Sequence, residues 1–402
     1  MTSLSEPSDA NAHGAKKTGL VAGLIWSAVV ALALLALSMS DRLPEGPEEW
    51  TLDWRTALFS DAPAEQRKDI AVVLVTDDSL AEYPYRSPVD RALLARVIKG
   101  LDEAGAKAIG LDFIFDRPTE PAKDDALASA IKNARTPIVF GAIDQRDKGV
   151  REKNFAFQDE FFRKGGRPAA HIFFGTDNKT LTISDNVIRR VGEASLEPAF
   201  EKGLAEALAS TEKPRAPLET PLIDWLLPPA DGSSDTFLRL QIRTHAPGSP
   251  DASSVDVIPP EWRPALKGKF VLVGGEFGDR DRHLTPLSVG GKARMPGVII
   301  HAQILAQILD GRSLILAPRL WEAFALFAIA AAGFYAARRW VWMQREWIVY
   351  GAGLAFLIVV GVILFTQFKL VLPSTTLLLA WFAGVTGGYY CDRALKLAGL
   401  AR

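Results

Sequence analysis

The chain has 402 residues, a formal net charge of −1 and 48% hydrophobic content. That length allows roughly two to three domain-sized units, and the balanced charge offers no basic footprint for nucleic acid. The single cysteine, Cys391, excludes an intramolecular disulfide and a cysteine-rich metal site.

Residues 1–18 form a polar tail that carries Lys16 and Lys17. Residues 19–39, GLVAGLIWSAVVALALLALSM, hold no charge and match the roughly 20 residues a helix needs to cross hydrocarbon. The run outlasts the roughly 7–15-residue core of a signal peptide, and no small-x-small site follows it, so an uncleaved anchor is expected. Three more apolar runs occupy 320–337, 347–365 and 370–390 within a second membrane region, 319–390. Trp321, Trp340, Trp342, Trp347, Tyr389 and Tyr390 lie at the run ends, where an aromatic belt belongs. Glu322 fits the interface, and Pro373 fits the first turn of the last span.

Orientation follows from the basic residues. Arg338, Arg339 and Arg345 lie between the second and third runs, and Arg393, Lys396 and Arg402 lie in the tail 391–402. The opposite connection has only Lys369. With Lys16 and Lys17, this predicts both termini in the cytoplasm and residues 41–318 outside. The expectation is a multi-pass membrane protein of four spans with one large external domain.

Within that domain, residues 70–75 read as a buried strand ending at Asp77 and Asp78. A helix follows, with Ser87 at the N-cap, Pro88 first inside, Asp90 at a capping-box position and Gly105 as its stop. Leu93, Leu94, Val97 and Leu101 form its apolar stripe, and AKAIGLDFIF (106–115) is the next strand. Strand, helix and strand at these lengths imply a β-α-β unit and a parallel sheet. The pattern continues as a helix at 124–134 and a strand at 136–143. Beyond it, short strands are expected within 165–178 and 181–190, a helix over 195–210, and strands at 237–243 and 267–275. The last helix is MPGVIIHAQILAQIL, 295–309. The fold class is therefore an α/β external domain, with a parallel or mixed sheet and flanking helices, joined to an α-helical membrane part.

In a parallel sheet, ligands bind beyond the carboxyl ends of the strands. Asp77, Asp78 and Asp112 would lie at that edge, and the strand through Phe270–Val273 would bring Gly274, Gly275, Asp279, Asp281 and His283 there too. Carboxylates with an imidazole suit a cation or a polar ligand. The competing reading gives Asp77, Asp78 and Ser79 to helix capping and turn formation. Asp124 and Asp125, with Asp116 before them, suit a helix N-terminus. His301 lies within about 60° of Val298, Ile304, Leu305 and Ile308 at 100° per residue, whereas Gln303 and Gln307 point away. It is expected in the core, on a helix that couples the domain to the next span. In the membrane region, Gly384 and Gly388 have the spacing of a helix-association motif.

DIAVVLVTDDSL, AGAKAIGLDFIF, DDALASAI, KGKFVLVGG, DRHLTPL and MPGVIIHAQILAQIL occur in an order that resembles the type-2 CHASE domain, and LDWRTALF (52–59) resembles that family's entry motif. The resemblance covers about 45–315. It implies an extracellular sensor of the kind carried by bacterial cyclases and histidine kinases, with one span before the domain and about three after, in the bacterial inner membrane. In that family the last span leads into an output domain. Here CDRALKLAGLAR follows, with no phosphate-cradling loop or kinase signature.

The leading expectation is a sensor that takes an unknown small-molecule ligand or envelope state and acts through a homo-oligomer, a separate signalling or envelope protein, or both. A structural role in an oligomeric envelope assembly is the alternative. An external hydrolase using the carboxylates is a third class. No catalytic residue, metal or cofactor is assigned, and nucleic acid is not an expected partner.

Overall fold

The computed structural model describes residues 9–39, 45–143, 152–175, 187–192, 200–232, 234–243, 256–278, 281–291, 293–340 and 346–397. They divide into two compact units, a helical one that takes the chain through Arg55 and again from Ile315, and a sheet unit between Thr56 and Leu314. The helical unit opens with α1 (Asp9–Met39), and α2 (Glu45–Phe59) crosses the boundary between the two.

In the sheet unit the expected β-α-β start is present as β1 (Arg67–Thr76), α3 (Arg91–Glu103) and β2 (Ala108–Asp112). The helix begins three residues later than Ser87 and Pro88 suggest. Asp90 is its N-cap and accepts from the Leu93 amide at 3.0 Å, while the Ser87–Pro88 bond ahead of it is cis. Gly105, at φ +72°, stops it as expected. Leu93, Leu94, Val97, Ile98 and Leu101 are buried along one face. Then come α4 (Pro121–Asn133), β3 (Ile138–Ala142), α5 (Glu152–Gly165), β4 (Ala169–His171), β5 (Phe174–Gly175) and β6 (Arg190–Val191). Most of the strand expected over 181–190 lies outside the described residues, and of the helix expected over 195–210 only α6 (Leu204–Ala209) is seen. The unit closes with β7 (Phe237–Gln241), α7 (Arg263–Leu266), β8 (Phe270–Glu276), β9 (Arg282–His283), β10 (Met295–Pro296) and α8 (Gly297–Asp310).

Six strands form one all-parallel sheet in the order β4-β3-β2-β8-β1-β7. Alternation along each strand sends side chains to opposite faces. Ala71, Val73, Val75, Ile109, Leu111, Val271 and Val273 enter the core on the α3–α4–α5 face. Ile70, Val72, Leu74, Ala108, Phe270 and Leu272 enter the core that holds α6 and α8. Strands buried on both faces read as continuous apolar runs, which is why β1 and β8 were legible. The strand order reverses about β1: the chain moves from it to β2, β3 and β4 on one side, then returns to β7 on the other.

Helix α8 departs from a one-sided stripe. Every residue from Gly297 to Ile308 is buried, so Gln303 and Gln307 face protein, not water. The Leu226 amide donates to Gln303 Oε1 at 2.9 Å and Gln303 Nε2 donates to the Leu226 carbonyl at 2.9 Å. Gln307 accepts from the Asp224 amide at 3.0 Å and donates to the Leu222 carbonyl at 3.1 Å. The two amides thus pair with a backbone segment as a neighbouring strand would.

The helical unit continues with β11 (Ile315–Leu316), α9 (Arg319–Trp340), α10 (Glu346–Phe368), β12 (Leu370–Val371) and α11 (Ser374–Leu397). Among the described helices, three are long and apolar enough to cross a membrane: Gly19–Met39 within α1, α9, and Trp347–Phe368 within α10. The expected fourth span does not reach that apolarity, because glycines, threonines and tyrosines dilute α11. It also starts later than 370, since Leu370 and Val371 pair with Ile315 and Leu316. Helix α11 packs against α1, α9 and α10, with Ala380 and Val385 fully buried. Its small residues are contact surface: a Cβ at Gly384 would strike the Ala330 carbonyl oxygen, and one at Gly388 the Phe334 carbonyl oxygen. Glu322 is likewise buried, and accepts from Arg319 Nη1 at 2.9 Å. Because a helix backbone yields little, Gly384→Leu is expected to destabilise the bundle by about 1–3 kcal/mol. Thermal unfolding in detergent checks this, and an unchanged midpoint would contradict the close approach.

Candidate functional site

The carboxyl ends of β1, β2, β3, β4 and β8 open into one cavity of about 900 Å³. Its polar wall includes Asp77, Arg91, Asp112, Asp116 and Asp281, with Arg86 and Arg117. Its apolar wall includes Val89, Phe113, Ile114, Ile143, Ile172 and Phe277. A concave, mixed lining at the reversal of strand order is the usual placement of a ligand site in an open parallel sheet.

Each acid reaches the cavity by a different route. Asp77 follows β1; its Oδ1 accepts from Arg86 Nη1 at 2.7 Å and its Oδ2 from the Gly278 amide at 3.0 Å, and it makes no side-chain cap bond to the 3-10 turn after it. Asp78 opens that turn and is not part of the cavity wall. Ser79 serves the turn, accepting from the Thr76 amide and donating to the Ile242 carbonyl at 2.7 Å. Asp281 holds φ +54°, and a Cβ on Gly297 would lie 2.9 Å from its Oδ1, so glycine there admits the carboxylate to the N-terminus of α8. His283 Nε2 lies 3.1 Å from Asp281 Oδ1, and His283 stands behind that acid and not in the wall itself. Asp279 lies outside the described residues.

Asp112 is placed by the alternation of β2. It shares its face with Ala108 and Gly110, the face covered by α6 and α8. There it meets His301, whose Nε2 is 3.7 Å from Asp112 Oδ1, beyond hydrogen-bond reach. Both side chains are buried, and neither Asp112 Oδ2 nor His301 Nε2 has a hydrogen-bond partner among the described residues. Burial drives the Asp112 carboxyl well above its ordinary range, and the nearby charge of Asp281 adds to that. Burial also pulls His301 down to about 3, helped by the imidazoles of His171 and His283, against a hydrogen bond with the Ile172 backbone. Burial thus disfavours the charged form of each partner. The His301 ring also packs on Phe174 at 4.6 Å, which fits the expected core position.

Arg91 was not legible as a site residue. A cation in the first turn of a helix reads as solvated, yet Arg91 is 1% exposed. The Phe115 ring lies 4.5 Å from its guanidinium. Its nearest carboxylate, Asp124, stays 3.7 Å from Nε and already accepts from the Thr119 amide and hydroxyl at 2.9 and 2.8 Å. Asp124 lies in the first turn of α4, as the helix-terminus reading expects. Arg91 Nε and Nη2 are buried without hydrogen-bond partners among the described residues, and burial lowers the guanidinium to about 10. Asp116, by contrast, is taken up by Arg117 at 2.9 and 3.0 Å and by Asn154 at 2.9 Å.

No group of three or more metal-binding side chains occurs among the described residues. The cavity lining carries both acids and the buried cation Arg91.

No curated protein matches the chain, and no solved structure does. The family model for the CHASE2 domain, an extracellular sensor domain, matches residues 27–335, most of the chain. The order of strand, acid-tipped turn and closing helix in the sheet unit belongs to that match, and the chain is a member of the CHASE2 family.

Proposed function

We propose that this chain is a membrane-anchored sensor whose external sheet unit binds a small ligand in the cavity at the carboxyl edge of the sheet. Its role is binding, not catalysis. The observation that carries this reading is the contact between Asp112, in the cavity wall, and His301, in the middle of α8. A ligand at Asp112 changes the charge facing α8, and eight residues separate the end of α8 from the start of α9. Binding that favours one position of α8 shifts the population of membrane-helix arrangements, and a separate envelope or signalling protein reads the change.

Four spans, α1, α9, α10 and α11, with both termini in the cytoplasm of a bacterial inner membrane, complete the proposal. The basic residues Arg338 and Arg339 in the last turn of α9 support that orientation, and burial of α11 by its neighbours explains its lower apolarity. Cysteine labelling tests it. Cys391 should react with an impermeant maleimide only from the cytoplasmic side, and Glu160→Cys in a Cys391→Ser background only from outside. The opposite pattern would refute the orientation.

The sensing step has its own measurement. Ile114→Trp, in the cavity wall, should obstruct the cavity and weaken retention of a co-purified small molecule detected by native mass spectrometry. Loaded and emptied wild-type protein should differ in amide exchange along α8. Identical exchange in the two states would remove α8 from the mechanism.

A further inference from the structure

The cavity holds opposite charges that do not satisfy one another. Arg91 leaves Nε and Nη2 unpartnered, and these two donors lie along one edge of the guanidinium, the edge that takes a carboxylate side-on. Asp112 leaves Oδ2 unpartnered. Had they met, each would have supplied what the other lacks; instead they are set apart in the same wall. Buried polar groups without partners are costly, and persist where a ligand supplies the missing partner.

The surroundings assign each end. Asp124, Asp116 and Asp90 are the acids that act on Arg91, and all are already engaged, Asp124 with Thr119, Asp116 with Arg117 and Asn154, and Asp90 with Lys123 and the Leu93 amide. Asp281 is the acid that acts on Asp112, so a second carboxylate lies at that end. Val89, Phe113, Ile114, Ile143, Ile172 and Phe277 give the same cavity its apolar surface. A simple anion would leave Asp112 unmatched, and a simple amine would leave Arg91 unmatched. The volume, about 900 Å³, lies at the upper end of the roughly 300–1,000 Å³ of ligand pockets and exceeds what one amino acid fills.

We infer that the cavity takes a zwitterion of short-peptide size, with its carboxylate on Arg91, its ammonium on Asp112 and Asp281, and apolar side chains against the hydrophobic wall. This rests on the ligand-binding reading above. It specifies the charge pattern that reading leaves open.

Calorimetric titration of the full chain in nanodiscs decides it. The probes are the tripeptide alanyl-leucyl-alanine, its N-acetyl form and its C-terminal amide. The free tripeptide should bind, and each blocked form should bind about tenfold more weakly or worse, the loss of one charge-assisted contact. On Asp112→Asn, the free tripeptide should bind more weakly and the penalty for acetylation should shrink, Asp281 still contacting the ammonium. The comparison among probes uses wild-type protein, so a poorly folding variant leaves the test intact. Absence of binding by the free tripeptide, or equal binding of a blocked form, overturns the zwitterion. Binding of a blocked form alone does so while leaving a ligand-binding sensor in place. A free tripeptide that binds with the expected preference but leaves α8 exchange unchanged would refute the sensing step alone.

Discussion

Gln303→Leu is expected to destabilise the sheet unit by on the order of 4 kcal/mol, more than any other single change considered in its core. The substitution puts an apolar side chain of similar length in α8 but strands the amide and carbonyl of Leu226, both now paired with the Gln303 side chain at 2.9 Å. Each buried backbone group left without a partner costs about 1–3 kcal/mol. A hydropathy pattern alone gives the opposite expectation, because leucine would extend the apolar surface of α8. Amide exchange over residues 222–226 and over β8 checks the point, since β8 lies in the middle of the sheet and exchanges through global opening. Unchanged exchange at both places would show that the Gln303 pairing contributes nothing.

The second large effect is a pH dependence of stability in which Asp112 and His301 act in opposite senses. The sign follows from counting protons on the two groups. In the unfolded chain the carboxyl titrates near 3.8 and the imidazole near 6.5; in the folded chain burial raises the first well above that value and lowers the second to about 3. Asp112 holds its proton more tightly when folded, so its contribution is fully present below 3.8 and is lost as pH rises toward its raised folded value. His301 holds its proton less tightly when folded, so its contribution is present above 6.5 and is lost as pH falls to about 3. Asp112→Asn should remove the first of these, leaving only the His301 contribution, which rises from about pH 3 to 6.5 and is flat beyond. His171, His283 and Asp281 also face this pair and remain in both proteins. Exchange-derived stability of β8 between about pH 4 and 8, compared for the two proteins, is the measurement. Parallel slopes would exclude Asp112 as the source.

These effects bear on function because both centre on α8. The helix is held by amide pairing through Gln303 and Gln307 and by packing on the sheet, while its one imidazole meets the acid of the cavity wall. A bound cation at Asp112 would favour the carboxylate and supply the partner its buried oxygen lacks.

Local order made much of this protein readable from its residues. The runs 19–39, 320–337 and 347–365 fall within helices because spanning length and apolarity are properties of the segment itself. The first β-α-β unit and the closing helix follow from periodicity, and for the first helix from the stop at Gly105, which holds a positive φ. Asp77, Asp112 and Asp281 were correctly placed at one edge, since the carboxyl end of a parallel strand is fixed by its direction. Only the tertiary structure separated them from Asp78, which lies on the turn, and from His283, which stands behind Asp281. It alone revealed Arg91 as a buried cation, because burial depends on Phe115 and the cavity wall, far from the helix that carries it. It alone brought Asp112 to His301, because strand order and register choose which distant residues meet, and no local pattern encodes that choice.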